Sequence, residues 1–384
     1  MTRLGAKMTF TEAAEEAWYS HQTHISEATL RRTTYRHGRM AEQAARQEVE
    51  RLKAEAPPSA ACPQNLSISA DGSLIHLTNG EWREIKGVAI GTFETEWQPG
   101  TWEQQVKTTA ISYFTRSYRV REFEEYALAE LHRRGLDNAS TIVAVNDGSE
   151  WIQAFIDYHC PTAVRIIDFP HAASYVASAG RAIWGEGTET FRIWFKRATH
   201  QMKHKPPQQT IAELHLLQQK ARSDEQLGNI ERALFYLQTR LTMIDYAHFR
   251  QCGYPIGSGA VESGHKVVVQ RRFKQAGMRW AEHNVDPLLA LRDLLCNKRW
   301  QEGWQQIVAL QQQQRQNKRW QTAQEKQPPS PEPITFAALK AAGQLPQDQT
   351  PSKRPQKNTK SRRPAEDHPW RNGIWPTKES WRWN

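Results

Sequence analysis

Apolar residues alternate with small polar ones over Leu66-Ser-Ile-Ser-Ala. They run almost without interruption through Ile85-Lys-Gly-Val-Ala-Ile-Gly-Thr-Phe, Thr141-Ile-Val-Ala-Val-Asn and Ala163-Val-Arg-Ile-Ile-Asp. These are half-buried and fully buried strand patterns, and the second run reads as the hairpin partner of the first. Asp71 closes the first run before Gly72, and Asp147 closes the third before Gly148-Ser149, where a helical pattern opens at Glu150-Trp151. After the strand that ends at Asp168 the signal changes. Ile211, Leu214 and Leu217 form one three-residue stripe, and Ile230, Leu234, Leu237, Leu241 and Ile244 another at steps of four and three, so a helical insertion is expected. That stripe reads as a helical pair closing the core.

Helices are also expected at the amino end. Thr9 and Glu12 fit a capping box, and Ser26 is placed to cap a helix over 27–37 whose Arg31, Arg32, Tyr35 and Arg36 form a basic face. The pair reads either as a helix-turn-helix or as plain packing. Amphipathic sequence over 38–55 leads to Pro57-Pro58, and a further helix follows Trp300. The divisions expected are an N-terminal helical unit over 1–58, an α/β core over 59–185, the insertion over 186–250, C-terminal core helices over 251–320 and a disordered basic tail over 321–384.

The densest chemistry lies in residues 254–280. Gly253, Gly257 and Gly259 with Pro255 break any preceding helix, Ser258 is a cap candidate, and Glu262 falls in the first turn, where the helix dipole favours a carboxylate. Lys266, Arg271, Arg272, Lys274 and Arg279 surround it with positive charge. Glu262 with Lys266 reads as a surface ion pair on an amphipathic helix or as a functional acid among cations. Asp-Gly is likewise a common turn dipeptide as well as a place for a ligand at a strand's carboxyl end. The three acids together suit a site for two Mg²⁺ ions, with Mn²⁺ as substitute. Hard oxygen donors favour those ions, and two of them roughly 3.5–4 Å apart serve an in-line phosphoryl displacement. The chain has no GxxxxGK[ST], HExxH or GxSxG and no regular zinc-ligand spacing.

The blocks NDGSEWI (146–152), DFPHA (168–172), YPIGSGAVESGHKVVVQRRFKQAGMRW (254–280) and DPLLALRDLLCNKRW (286–300) resemble those of the Kra-type insertion-sequence transposases, over most of residues 60–300. The resemblance implies a DDE enzyme with a ribonuclease-H-like core, a helical insertion between the third strand and the Glu-bearing helix, and an acidic triad of Asp71, Asp147 and Glu262. Asn146 departs from the pattern, standing where a glycine is expected. Asp168 and His171 are similar to the C/D-x-x-H signature of Mutator-like transposases, with His171 on a phosphate and Asp168 orienting it. A capped, hydrogen-bonded histidine fits the same residues. The function implied is metal-dependent cleavage at the ends of a mobile element and strand transfer to target DNA by a homo-oligomer. A ribonuclease-H-like nuclease without strand transfer, and a transposase-derived DNA-binding protein, are the alternatives.

Composition changes this picture little. The net charge is +10 and the pI about 9.4, which favours a polyanionic partner such as DNA. Residues 351–384 hold nine Lys/Arg against three Asp/Glu, with Trp370, Trp375, Trp381 and Trp383 among them, a pattern suited to stacking on bases or docking on another protomer. Four scattered cysteines form no CxxC pair, and no apolar run reaches membrane length. A bacterial cytoplasmic, nucleoid-associated setting is expected.

Overall fold

The computed structural model describes residues 1–97 and 104–325. The expectations for the tail's charge and tryptophans lie outside them. Met1–Trp320 forms one compact unit; of the second, Gln321–Asn384, the described part is the end of a helix.

Three helices come first: α1 (Thr2–Lys7), α2 (Phe10–His21) and α3 (Glu27–Glu55). The Thr9–Glu12 capping box forms in both directions, and the Ser26 side chain accepts from Thr29 N. The helix after Ser26 does not stop near His37 but runs on as a single rod, and α1 precedes the pair that the sequence shows. Gly38, mid-helix, is where α3 meets its neighbour: a Cβ there would lie 2.4 Å from the Pro287 carbonyl oxygen.

A mixed five-stranded sheet follows: β1 (Asn65–His76), β2 (Trp82–Trp97), β3 (Gln104–Arg116), β4 (Thr141–Asn146) and β5 (Val164–Ile167), in the order β3-β2-β1-β4-β5. The first three strands are antiparallel neighbours, while β4 runs parallel to both β1 and β5. Helix α4 (Val120–Arg133) links β3 to β4, and α5 (Glu150–His159) makes the crossover to β5. On one face Leu66, Ile68, Ala70, Val88, Ile90 and Ala144 pack on Phe123, Ala127, Ile152 and Phe155 of those two helices.

The opposite face carries Val143 and Val145 beneath α6 (Phe169–Trp184), α7 (Glu189–His204), α8 (Pro207–Gln218), α9 (Asp224–Gln238) and α10 (Tyr246–Gln251). The insertion is thus helical, with Ile230, Leu234 and Leu237 buried as their spacing requires. It follows the fifth strand and not a third: the strand ending before Asp168 is the fourth run of the pattern, and β3 is a further strand the pattern did not disclose. Next come α11 (Gly259–Gly264), a π-helical stretch at His265–Gln270, and the short α12 (Arg271–Phe273). The chain then forms α13 (Val285–Cys296) and α14 (Trp300–Glu325). Ala6, Met40 and Ala41 from the amino-terminal helices share one apolar cluster with Val268, Phe273, Leu288 and Leu291.

Candidate active site

Parallel pairing of β1 with β4 sets the central geometry. Ile68 lies opposite Ala144, and three residues further along both strands come Asp71 and Asp147. Alternation puts both acids on the face of Ser67, Ser69, Val143 and Val145, the face that α11 also crosses. Strand β1 does not end at Asp71: it continues to His76, with Asp71 opposite Gly87 of β2. Asn146 explains why a glycine is not needed before the second aspartate. Its buried Oδ1 accepts from the Ala70 N–H at 2.6 Å, extending the β1–β4 connection one step beyond the ladder and fixing the two acids relative to each other.

The Asp71 carboxylate is half-buried. Gly72 N donates to its Oδ1 at 2.7 Å, and His265 Nε2 lies 3.7 Å from Oδ2. Its pKa is raised, first by burial and then by the charges of Asp147 and Glu84, against the opposing influence of His265 and Gly72. Asp147 accepts from Ser149 N at 2.9 Å on one oxygen, and its carbonyl accepts from the Tyr236 hydroxyl at 2.6 Å. Gly148 adopts φ +80°, and a Cβ there would stand 2.7 Å from Ile167 Cδ1 and 3.0 Å from Arg240 Nε, so both backbone sign and space demand glycine. Tyr236 stacks on Tyr175 with centroids 3.9 Å apart, and the Arg240 guanidinium lies 4.2 Å from its ring centre. The pattern missed this aromatic and cationic wall because Tyr175 and Tyr236 lie on helices, α6 and α9, where they read as periodic filler, and Arg240 lies just beyond the end of α9.

Glu262 is exposed on α11, and its carboxylate makes no hydrogen bond or ion pair. The ion pair with Lys266 expected on an amphipathic helix is not formed, and the turn after Glu262 is π-helical rather than α-helical. Among the described residues no group of three or more His, Cys, Asp or Glu side chains is close enough to hold one metal ion. Asp71 and Asp147 are two hard-oxygen donors near enough for the charge of one to raise the pKa of the other. Glu262 does not join them.

Asp168 has another use. It caps α6, accepting from His171 N at 2.9 Å on Oδ2, and its Oδ1 accepts from the Ser258 N–H at 2.7 Å. Both oxygens are thus spent on backbone, so the expected orientation of the His171 ring by Asp168 is replaced by capping of the helix that carries it. Asp168 also fastens the loop that launches α11, and it is this contact, not a side-chain cap from Ser258, that organises the helix start. His171 is half-buried beside the rings of Tyr175 and Tyr236, at centroid distances of 5.5 and 5.7 Å.

The basic residues divide. Arg31, Arg32, Arg36, Lys266, Arg271, Lys274 and Arg279 are exposed. Arg31 is engaged by Glu27. Arg272 corrects the expectation of a phosphate contact: it is 1% exposed. Its Nε donates to the Gly5 carbonyl at 3.2 Å, and its guanidinium lies 4.8 and 5.0 Å from the Phe10 and Trp280 ring centres. Burial lowers its pKa to about 10. Its place on the helix faces the amino-terminal segment, which one-dimensional charge counting does not register.

No protein-family model matches the chain, and no curated protein matches it. Among the described residues no helix is long and apolar enough to cross a membrane.

Proposed function

We propose that the protein is a DNA transposase that cuts phosphodiester bonds at the ends of a mobile element and joins the freed 3′-hydroxyls to target DNA. One observation carries the reading: the parallel pairing of β1 with β4 sets Asp71, within β1, beside Asp147, just past the carboxyl end of β4, on the face crossed by the Glu262 helix. Strand order and direction agree with a ribonuclease-H-like core, and the resemblance over residues 60–300 implies the same three acids, Glu262 from the 254–280 block and Asp147 from the 146–152 block. Asp71 and Asp147 would hold the metal, and Glu262, exposed and unpaired, is the third donor of the family pattern. When bound, Mg²⁺ or Mn²⁺ supplies polarisation of the scissile phosphate and activation of the attacking oxygen.

The chain's own groups do the rest. The Tyr236 phenol, whose pKa burial raises, stays protonated and donates to the Asp147 carbonyl, holding the turn that presents that acid. Lys266, Arg271, Lys274 and Arg279 lie exposed close along the chain to Glu262, where phosphate oxygens would pass. Arg31, Arg32 and Arg36 are the candidates for reading the element ends, and His171 for a flanking phosphate. Because the amino-terminal helices share the core, substituting these arginines tests recognition better than deleting the segment.

The stand-off of Glu262 favours a second reading, a transposase-derived DNA-binding protein. A joining assay separates the readings. An oligonucleotide bearing the element's terminal repeat with an exposed 3′-hydroxyl is incubated with supercoiled plasmid and Mg²⁺; covalent joining supports the transposase. Cleavage without joining favours a nuclease, and binding alone favours the DNA-binding derivative.

A further inference from the structure

His265 is the least explained side chain near the paired acids. It is 4% exposed, yet neither ring nitrogen has a hydrogen-bond partner. Buried polar atoms are almost always paired, so two orphaned nitrogens on one ring point to a partner that arrives later. Nε2 faces Asp71 Oδ2 at 3.7 Å, just beyond hydrogen-bond reach, while Asp71 Oδ1 is already held by Gly72 N. Space for the ring is built in: Gly87 lies opposite Asp71 in the ladder, and a Cβ there would come within 3.0 Å of His265 Cε1 and 3.4 Å of Nε2. The residue also sits at the junction where α11 gives way to the π-helical stretch, one turn after Glu262. π-helical turns recur at functional sites because they re-aim side chains along a helix.

We propose that His265 is a positioning residue for the metal site, donating its Nε2–H to Asp71 Oδ2 so that the carboxylate is held in place for a divalent cation shared with Asp147. This rests on the functional reading above and adds a residue outside the acidic triad. Outer contacts of this kind set the orientation of a ligand and its affinity for the metal.

The test is Mn²⁺ binding to the full-length protein without DNA, followed by electron paramagnetic resonance of the free ion. His265→Leu removes the donor while filling the space, and should weaken Mn²⁺ binding by about 10–100-fold. His265→Asn retains an N–H and should stay within a few-fold of the wild type, a rescue that a purely space-filling role does not predict. Gly87→Ala crowds the ring without touching it chemically and should weaken binding by an intermediate factor. Wild-type affinity in His265→Leu, alongside loss in Asp71→Asn, overturns the positioning role and leaves the metal site standing. Wild-type affinity in Asp71→Asn itself removes the metal site, and the role of His265 with it. Should His265→Leu fail to fold, Gly87→Ala decides: unchanged affinity counts against the proposal and reduced affinity for it.

Discussion

Two regions of this protein gather carboxylates against the sheet, and they treat them in opposite ways. Along α13, Asp286 accepts from Ser117 N at 2.6 Å and from its hydroxyl at 2.5 Å. One turn pair later, Asp293 accepts from Thr115 N and Oγ1 at 3.1 and 2.7 Å, and from the buried Arg116 at 2.6 Å. Asn297 completes the stitching with two 2.8 Å bonds to the Tyr113 backbone. Each of these three side chains makes two or more hydrogen bonds to β3 and the residue after it. Where β4 ends beside Asp71 of β1 the reverse holds: Asp71 and Asp147 each have one backbone donor, Glu262 has no partner, and the imidazole beside Asp71 makes no hydrogen bond. Saturated acids hold the fold together, whereas acids left with open oxygens beside one another contribute less to it and leave acceptors that a ligand could take. Asp168, with both oxygens on backbone donors, belongs with the first group despite its place near the second.

The largest effect expected from breaking this contrast is at Asp293. Asp293→Ala strands the buried Arg116 charge and should cost about 3–5 kcal/mol of stability in urea denaturation. A loss below about 1 kcal/mol would mean that the α13–β3 stitching is not structural. Asn146→Ala comes next. It leaves the buried Ala70 N–H without an acceptor, at a cost of about 1–3 kcal/mol, and because Asn146 also aligns the two acids, Mg²⁺-dependent cleavage should fall further than stability alone explains. Equal retention of activity would show that the alignment does not depend on this amide. Asp168→Ala removes a helix cap and should cost about 1–2 kcal/mol, with Asp168→Asn recovering part of it. Recovery of stability without cleavage would move Asp168 into the reacting group.

The smallest effect has the opposite sign. Burial raises the folded-state pKa of Asp71 above its unfolded value, so its ionised form destabilises the fold at neutral pH, and that penalty fades as the pH falls through the raised value. Asp71→Asn should therefore raise Tm slightly at neutral pH, with the two proteins converging in acid. A lower Tm at neutral pH would place Asp71 among the structural acids. Added Mn²⁺ should stabilise the wild type and leave the variant unchanged.

Much of this was legible in the chain. The strand run leading to Asp71, the one ending before Asp147, the helical insertion, the Thr9 capping box and the hairpin partnership of β1 with β2 follow from local pattern, since each depends on alternation or helical spacing within a few residues, although the expected end of the first strand at Asp71 does not hold. What escaped depends on distant partners. Strand β3 was hidden because Ala110 takes a positive φ of 47° at a bulge, where the register with β2 shifts and the alternation is interrupted. The continuity of β1 through Asp71-Gly72 runs against the usual turn meaning of that dipeptide and is imposed by pairing with Gly87 and Lys86. The unbroken α3 likewise contradicts its central Gly38, whose small size serves contact with Pro287. The roles of His265, Arg272 and Asn146 are tertiary in origin: in the sequence they are a histidine among cations, an arginine among arginines and a misplaced amide.

The central claim is that Asp71, Asp147 and Glu262 are reserved for phosphodiester chemistry. Its most direct test is Mg²⁺-dependent cleavage of a supercoiled plasmid carrying the element's ends by Asp71→Asn, Asp147→Asn and Glu262→Gln, each also checked for folding and for binding to the same DNA. The expected result is abolished cleavage in all three, with the fold intact and DNA binding within a few-fold of the wild type. Full cleavage by any one of them would remove that residue from the site, and full cleavage by both aspartate variants would contradict the account.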